Sequence, residues 1–186
     1  MSKLIYIANV SLDGFIEDSH GNFDWTDPSD EVFVFITDLV RSSRTYLYGR
    51  RMYETMAVWE TDPALAAQSE PMCDFAHVWQ AASKVVHSTT LREVSTAETQ
   101  LERHFDPDAI RDLKASAAND LAVGGPNPRR ARVPGRLVDE CQLVICPLVV
   151  GAGKSSLPHD TRGDLELLDE RRLSSGVVYV RHRVAT

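Results

Sequence analysis

Asp120-Leu121-Ala122-Val123-Gly124-Gly125-Pro126-Asn127 reads as a short apolar strand that runs directly into two glycines. Glycine has no Cβ, so a Gly-Gly pair at a strand end lets a pyrophosphate come close to the backbone amides. The same grammar occurs twice upstream. Thr45-Tyr46-Leu47-Tyr48 is a strand closed by Gly49, with Arg50 and Arg51 opening a short helix through Met56. Lys84-Val85-Val86-His87 is a strand followed by three hydroxyls, Ser88-Thr89-Thr90. Arginine adds a planar fork for phosphate oxygens, and a helix start adds free N–H groups. Ligands of open α/β sheets bind outside the carboxyl ends of the strands, where these three junctions are expected to meet.

Working outward, residues 3–10 form a β-branched-rich first strand, followed by a polar stretch to Asp27-Pro28. Val32, Phe33, Phe35, Ile36, Leu39 and Val40 recur at helical spacing and predict a helix from about 30 to 42. Further helices are expected over 73–82 and from Asp106-Pro107 to Ser116, where proline suits a first turn. Leu143 to Val150 reads as a buried strand broken at Pro147. Leu165–Leu168 and Val177–Val180 flank Ser174-Ser175-Gly176 as a hairpin. Alternating strands and helices that end in a hairpin predict a single α/β domain over 1–186. Its sheet is mostly parallel and flanked by helices, with a C-terminal antiparallel hairpin.

Composition narrows the partners. The 186 residues are 43% hydrophobic and 25% charged, ordinary for a soluble globular chain. Twenty Lys and Arg against 27 Asp and Glu give a net charge of −7, which argues against a nucleic-acid coat but not against a local basic pocket. No run approaches the roughly 20 apolar residues that span a bilayer, so a membrane partner is not expected. The first ten residues are too short for a signal peptide. Cys73, Cys141 and Cys146 are odd in number and lack CxxC spacing, which points to neither a disulfide framework nor a zinc site and suggests a cytoplasmic address.

Several familiar motifs fail. Gly153-Lys154-Ser155 would need a glycine where Leu148 stands, and Ser156-Leu157-Pro158 does not open a helix. The six histidines show no metal-binding spacing, and no GxSxG elbow is present.

The segments that remain carry a resemblance. Ser11-Leu12-Asp13-Gly14-Phe15-Ile16-Glu17-Asp18, Tyr48-Gly49-Arg50-Arg51-Met52-Tyr53-Glu54, Lys84–Ser88, Asp120–Asn127, Leu137-Val138-Asp139-Glu140 and Pro147–Lys154 occur in order along most of the chain. Together they resemble the dihydrofolate-reductase-like family, in particular stand-alone proteins similar to the reductase domain of the riboflavin-pathway bifunctional deaminase-reductase. The resemblance implies an NADPH-dependent reductase of a pterin- or pyrimidine-like heterocycle, acting on a C=N or C=O bond. It also implies a homodimer, with the exposed face of the terminal sheet as candidate interface.

By the same resemblance, Gly49, Arg50 and Arg51 would face the adenosine-side phosphates, with Arg50 on the 2′-phosphate. Ser88 and Thr89 would flank the ribose, and Gly124, Gly125, Pro126 and Asn127 would line the pyrophosphate. Ile16 and the backbone around Ala8 would lie near the nicotinamide carboxamide. Asp30, with Glu31 as second choice, matches the acidic residue that orients substrate or supports protonation, and a carboxylate in an apolar cleft can act near neutrality. Otherwise both simply favour the first helical turn.

Two departures stand out. Relatives continue Gly-Gly-Pro-Asn into an Ala- and Leu-rich helix, whereas this chain reads Pro128-Arg129-Arg130-Ala131-Arg132-Val133-Pro134-Gly135-Arg136. Thr89 stands where a basic residue is common, which weakens the expectation of NADPH over NADH. The alternative reading is a non-catalytic ligand-binding module that kept the fold.

Overall fold

The computed structural model describes residues 2–26, 29–124, 137–158 and 162–185. In chain order its elements are β1 (Leu4–Ser11), β2 (Phe15–Asp18), α1 (Asp30–Arg41), β3 (Ser43–Gly49), α2 (Arg50–Met56), α3 (Val58–Thr61), α4 (Pro63–Ala66) and α5 (Glu70–Ala81). They continue with β4 (Ser83–His87), β5 (Thr99–Glu102), α6 (Pro107–Ser116), β6 (Asp120–Gly124), β7 (Glu140–Cys146), β8 (Gly153–Ser155), β9 (Leu165–Arg172) and β10 (Val178–Val184). No described helix is long and apolar enough to cross a membrane. The described residues group into two compact units, one of Ser2 with 33–124 and one over 3–32 and 137–185.

In the first unit four strands lie in the order β5-β4-β3-β6, every pair parallel. Parallel strands are joined by crossovers, and the sequence supplies helix starts for them. Ser69 caps α5 by accepting from the Met72 N–H, and Asp106 caps α6 by accepting from the Asp108 N–H, each followed by a first-turn proline. Phe33, Trp59 and Phe75 form a cluster of edge-to-face rings at centroid separations of 4.8–5.7 Å. Deeper in, Trp79 donates from Nε1 to the Tyr48 hydroxyl at 3.2 Å and carries the buried Lys84 ammonium 4.3 Å above its ring. Burial pushes the Lys84 pKa down, with Glu60 and Glu98 opposing.

In the second unit the order is β1-β7-β10-β9, with β1 and β7 parallel and the remaining pairs antiparallel. A separate antiparallel pair joins β2 and β8. The expected strand over 143–150 is therefore β7, which starts earlier and stops at Cys146, before Pro147 removes a donor. The short strands β2, β5 and β8 carry too few residues for periodicity to reveal them. The expected hairpin is present as β9 and β10, turning at Ser174-Ser175-Gly176.

One carboxylate joins three strands of this unit. Glu140, on β7 and only 2% exposed at its side chain, accepts from Lys3 Nζ at 2.7 Å and from Arg181 Nε and Nη2 at 2.8 and 3.2 Å. Burial pushes its pKa up, but the hydrogen bonds and charges of Arg181 and Lys3 win and hold it below the usual range. Glu140→Gln should therefore cost about 3 kcal/mol in urea unfolding at neutral pH, because two cations lose their buried counter-charge. A depressed folded pKa gives stability that is present above the unfolded pKa and lost as pH falls through the folded one. The deficit of the variant should accordingly shrink in acid, and one that stays constant down to about pH 2 would contradict the assignment.

Candidate functional site

Three parallel strands of the first unit end level with one another. Tyr48 pairs with Val86 on one side and with Gly124 on the other, and Gly49 pairs with His87. The chain steps from β3 to β4 to β5 on one side and then lays β6 on the opposite side of β3. Strand order thus reverses at β3, the switch point at which open α/β sheets leave a crevice beyond their carboxyl ends.

Glycines flank that crevice without a conformational reason to be there. Gly49 has φ −84° and ψ 167°, open to any residue, and a Cβ on it would meet nothing within 4 Å. A Cβ on Gly124 would lie 3.4 Å from Met52 Cε and Tyr48 Cε1, an ordinary contact, and its φ is not left-handed. Gly153 is the opposite case: a Cβ there would fall 2.0 Å from the Glu17 carbonyl oxygen. Gly163, in an irregular segment, is as unconstrained as Gly49 but ends no strand.

The side chains around the crevice are tied to one another. Arg50 donates from Nε to Glu54 Oε1 at 2.7 Å and from Nη1 to Thr90 Oγ1 at 3.1 Å, which orients its fork. Ser88 is buried, and its Oγ accepts from the N–H groups of Thr90 and Leu91 at 3.2 and 2.9 Å. The Ser88 hydroxyl therefore shapes its own loop, while Thr89 and Arg51 are exposed. Arg103, which sequence reasoning missed, holds the same loop by donating to the carbonyls of Ser88, Leu91 and Arg92 at 3.5, 2.5 and 3.2 Å. Tyr53 fastens α2 to the segment between β4 and β5, accepting from the Ser95 N–H at 2.7 Å. Gly125, Pro126 and Asn127 lie outside the described residues, as does the arginine-rich segment that follows.

The second unit has a cleft of its own, of about 250 Å³. Its walls are apolar at Val32, Val144, Leu148 and Val177, and polar groups enter from Asn9, Thr26, Ser29 and Ser175. Trp25 also lines it, with an Nε1 that is buried and has no acceptor among the described residues. Burial pushes the Cys146 thiol up, so this lining residue stays S–H at neutral pH. The polar Asn9 inside an otherwise apolar strand was the one available sequence signal for this cleft. Ser175 and Val177 arrive from the hairpin turn, which no local motif announces.

Asp30 opens α1, is exposed, and is not among the residues that line the cleft. Glu31 accepts from the Ser174 N–H at 3.0 Å and from the Ser174 hydroxyl, anchoring the turn between β9 and β10. Ala8 sits on β1 level with Leu143, and Ile16 at the irregularity of β2 opposite β8.

The Ser-Leu-Asp-Gly segment has a structural explanation. Asp13 accepts from Ser11 Oγ at 2.7 Å and from the N–H groups of Val150 and Gly151 at 3.1 and 2.7 Å. Gly14 then turns the chain at φ 85°.

Strands, crevice and hairpin together define a dihydrofolate-reductase-like fold. Dihydrofolate reductase from Enterococcus faecalis, solved with NADP(H) and RAB-propyl, superimposes with a TM-score of 0.61 at 10% identity over 99% of this chain and 97% of that one. The chain belongs to the RibD C-terminal domain family, whose sequence profile matches residues 2–179. The deaminase/5-amino-6-(5-phosphoribosylamino)uracil reductase of Thermotoga maritima gives a TM-score of 0.66 at 12% identity over 99% of this chain and 57% of that one. The uncharacterized protein YyaP of Bacillus subtilis is 29% identical over 188 residues, 96% of this chain and 93% of that protein.

Hydrogen bonds, that from Ser11 foremost, hold the Asp13 pKa down at about 2. The clamp is therefore complete above the ordinary aspartate range and is lost as pH falls through about 2. In an NMR titration the Gly151 amide should report a midpoint near that value. A midpoint at the ordinary aspartate value of about 3.9 would mean that the contact is not formed in solution.

Proposed function

We propose that the protein is an NADPH-dependent reductase of a small pterin- or pyrimidine-like heterocycle, reducing a C=N or C=O bond. The crevice beyond β3, β4 and β6 would hold the dinucleotide, and the cleft of the second unit the heterocycle. The observation that carries this reading is the pair Gly49 and Gly124. Neither is required by backbone or packing in the free chain, and both stand at the switch point, where a bare backbone lets phosphates approach. Family membership and a fold shared with a reductase solved with NADP(H) support the same conclusion.

When bound, the cofactor supplies a hydride from its nicotinamide ring. The proton that completes the reduction would come from a water at the cleft mouth, and the chain's own residues would bind and orient the two molecules. Arg50, braced by Glu54 and Thr90, presents a fixed guanidinium fork to the adenosine-side phosphate. The loop held by Ser88 and Arg103 keeps Thr89 and Thr90 beside it. In the cleft, Asn9, Thr26, Ser29 and Ser175 offer hydrogen bonds to ring edges, while Val32, Val144 and Val177 exclude water.

Cofactor titration, followed by quenching of tryptophan fluorescence, tests the reading directly. Gly49→Ala and Gly124→Ala should stay within about 1 kcal/mol of the parent in stability, since a Cβ fits at both positions. Each should nonetheless weaken NADPH binding roughly tenfold, a loss of about 1.4 kcal/mol. Arg50→Ala should weaken NADPH roughly tenfold and NADH much less, because only NADPH carries the 2′-phosphate that the guanidinium would meet. A parent chain that binds neither nucleotide at millimolar concentration would overturn the proposal. Equal losses for both nucleotides would remove Arg50 from it.

A further inference from the structure

One donor at the cleft of the second unit has no acceptor among the described residues. Trp25 belongs to a single 3-10 turn, Asp24–Thr26, and its indole Nε1 is buried and unpaired there. Trp79 shows the usual arrangement, with an Nε1 that donates to the Tyr48 hydroxyl at 3.2 Å. A buried N–H without an acceptor is costly, and native chains keep one where something outside the fold supplies the acceptor. Indole nitrogen is a donor and nothing else, so the group it meets has to be an acceptor. The same cleft is lined by Asn9, which stands level with Val144 in the parallel pairing of β1 with β7. Its primary amide carries a donor and an acceptor side by side. Val32, Val144, Leu148 and Val177 are apolar, so these lining side chains do not compete for either group.

We infer that Trp25 and Asn9 are the specificity-determining pair of this cleft, selecting a ring that turns an oxo group, and not an amino group, towards the indole. The inference rests on the reading that the cleft holds a heterocycle. At about 250 Å³ the cleft lies just below the roughly 300–1,000 Å³ of most small-molecule pockets, which suits one or two fused rings without a long tail. An asparagine amide pairs bidentately with a ring edge that carries a donor beside an acceptor, as it does with the edge of adenine. Oxo and amino rings both offer such an edge, so Asn9 holds and orients the ring without choosing between them. The choice falls to Trp25. A ring carbonyl accepts its hydrogen bond and can replace a water there without loss. An amino group at the same place sets donor against donor and leaves both unpaired. A site built to bond one polar group rejects an analogue lacking it far more strongly than an apolar pocket rejects a change of size.

Two probes of nearly equal shape test this without turnover: pterin, a 2-amino-4-oxo ring, and 2,4-diaminopteridine, its amino counterpart. Binding is followed in nitrogen–proton NMR spectra, where the three tryptophans give three indole signals. Trp25→Phe assigns the Trp25 signal by its loss, and unmoved Trp59 and Trp79 signals show that the variant is folded. Pterin should bind at least about tenfold more tightly than diaminopteridine and move the Trp25 indole proton downfield. Trp25→Phe should bring the two affinities to within about twofold by weakening pterin. Asn9→Val, which suits a strand, should weaken both probes by a similar factor and keep their ratio, and a variant that weakens neither removes Asn9 from the pair. Suppose the probes shift the amides of Asn9, Val144 and Ser175 but bind equally, or the preference survives Trp25→Phe. Either result overturns the specificity assignment and leaves a heterocycle in the cleft. If neither probe shifts those amides at millimolar concentration, the heterocycle site itself falls and this inference with it. Nucleotide binding to the first unit, measured separately, is untouched by either outcome.

Discussion

The reversal of strand order at β3 is the constraint from which the first unit's candidate site follows. With β4 and β5 laid on one side of β3, β6 joins the parallel sheet on the other side. At such a reversal open α/β sheets leave a crevice beyond the carboxyl ends of their strands, whatever side chains line it. What the sequence adds is chemistry suited to that space: glycines at both strand ends, and an arginine whose fork is aimed by Glu54 and Thr90. Topology makes the crevice, and local hydrogen bonds decide what it attracts.

The second unit depends on buried charge to a degree its apolar strands do not suggest. Glu140 gathers Lys3 and Arg181, so the leading end of β1 and the outward run of β10 are fixed to β7 by one carboxylate. Such a group is costly to bury alone and stable only with every partner in place, which makes it a register lock rather than a general source of stability. Asp13 does the same at the surface for the loop after β1, by collecting two backbone amides from the segment after Pro147. Both carboxylates lie inside segments that the family resemblance singled out. Their hydrogen-bond partners assign them to holding the chain, and neither is among the residues that line the cleft.

How much of this was legible in the sequence follows from the range of the interactions involved. The helices over 30–41 and 107–116 and the strands β1, β3, β4 and β6 were readable because periodicity and capping residues act within a few positions. The Gly49, Ser88 and Gly124 junctions were readable for the same reason, and their common level at one sheet end follows from parallel pairing. The cleft was not readable. Asn9, Trp25, Val144 and Ser175 come from four separate elements, and no local pattern links a strand residue to a turn some 165 positions later. Arg103 was missed because an arginine that donates to three carbonyls looks, in sequence, like any solvated arginine. For Asp30, distance from Trp25 along the chain does not tell which way a carboxylate in the first turn of α1 faces, and the residue is exposed there.

Charge also behaves differently at each scale. The total of −7 describes how the chain meets a distant polyanion, where individual groups blur together over a Debye length of about 8 Å. Within that length the distribution matters more than the sum. Arg50 and Arg103 both donate to one loop in an acidic protein, so a phosphate at that loop would meet cations before it met the average field. The face of β7, β10 and β9 that carries Ile145, Val178 and Val180 is the complementary case, a surface where the local sum is close to zero although the global one is not. A single acidic chain can therefore present a cationic loop and a nearly neutral sheet face, because each patch is set by its own neighbours and not by the total.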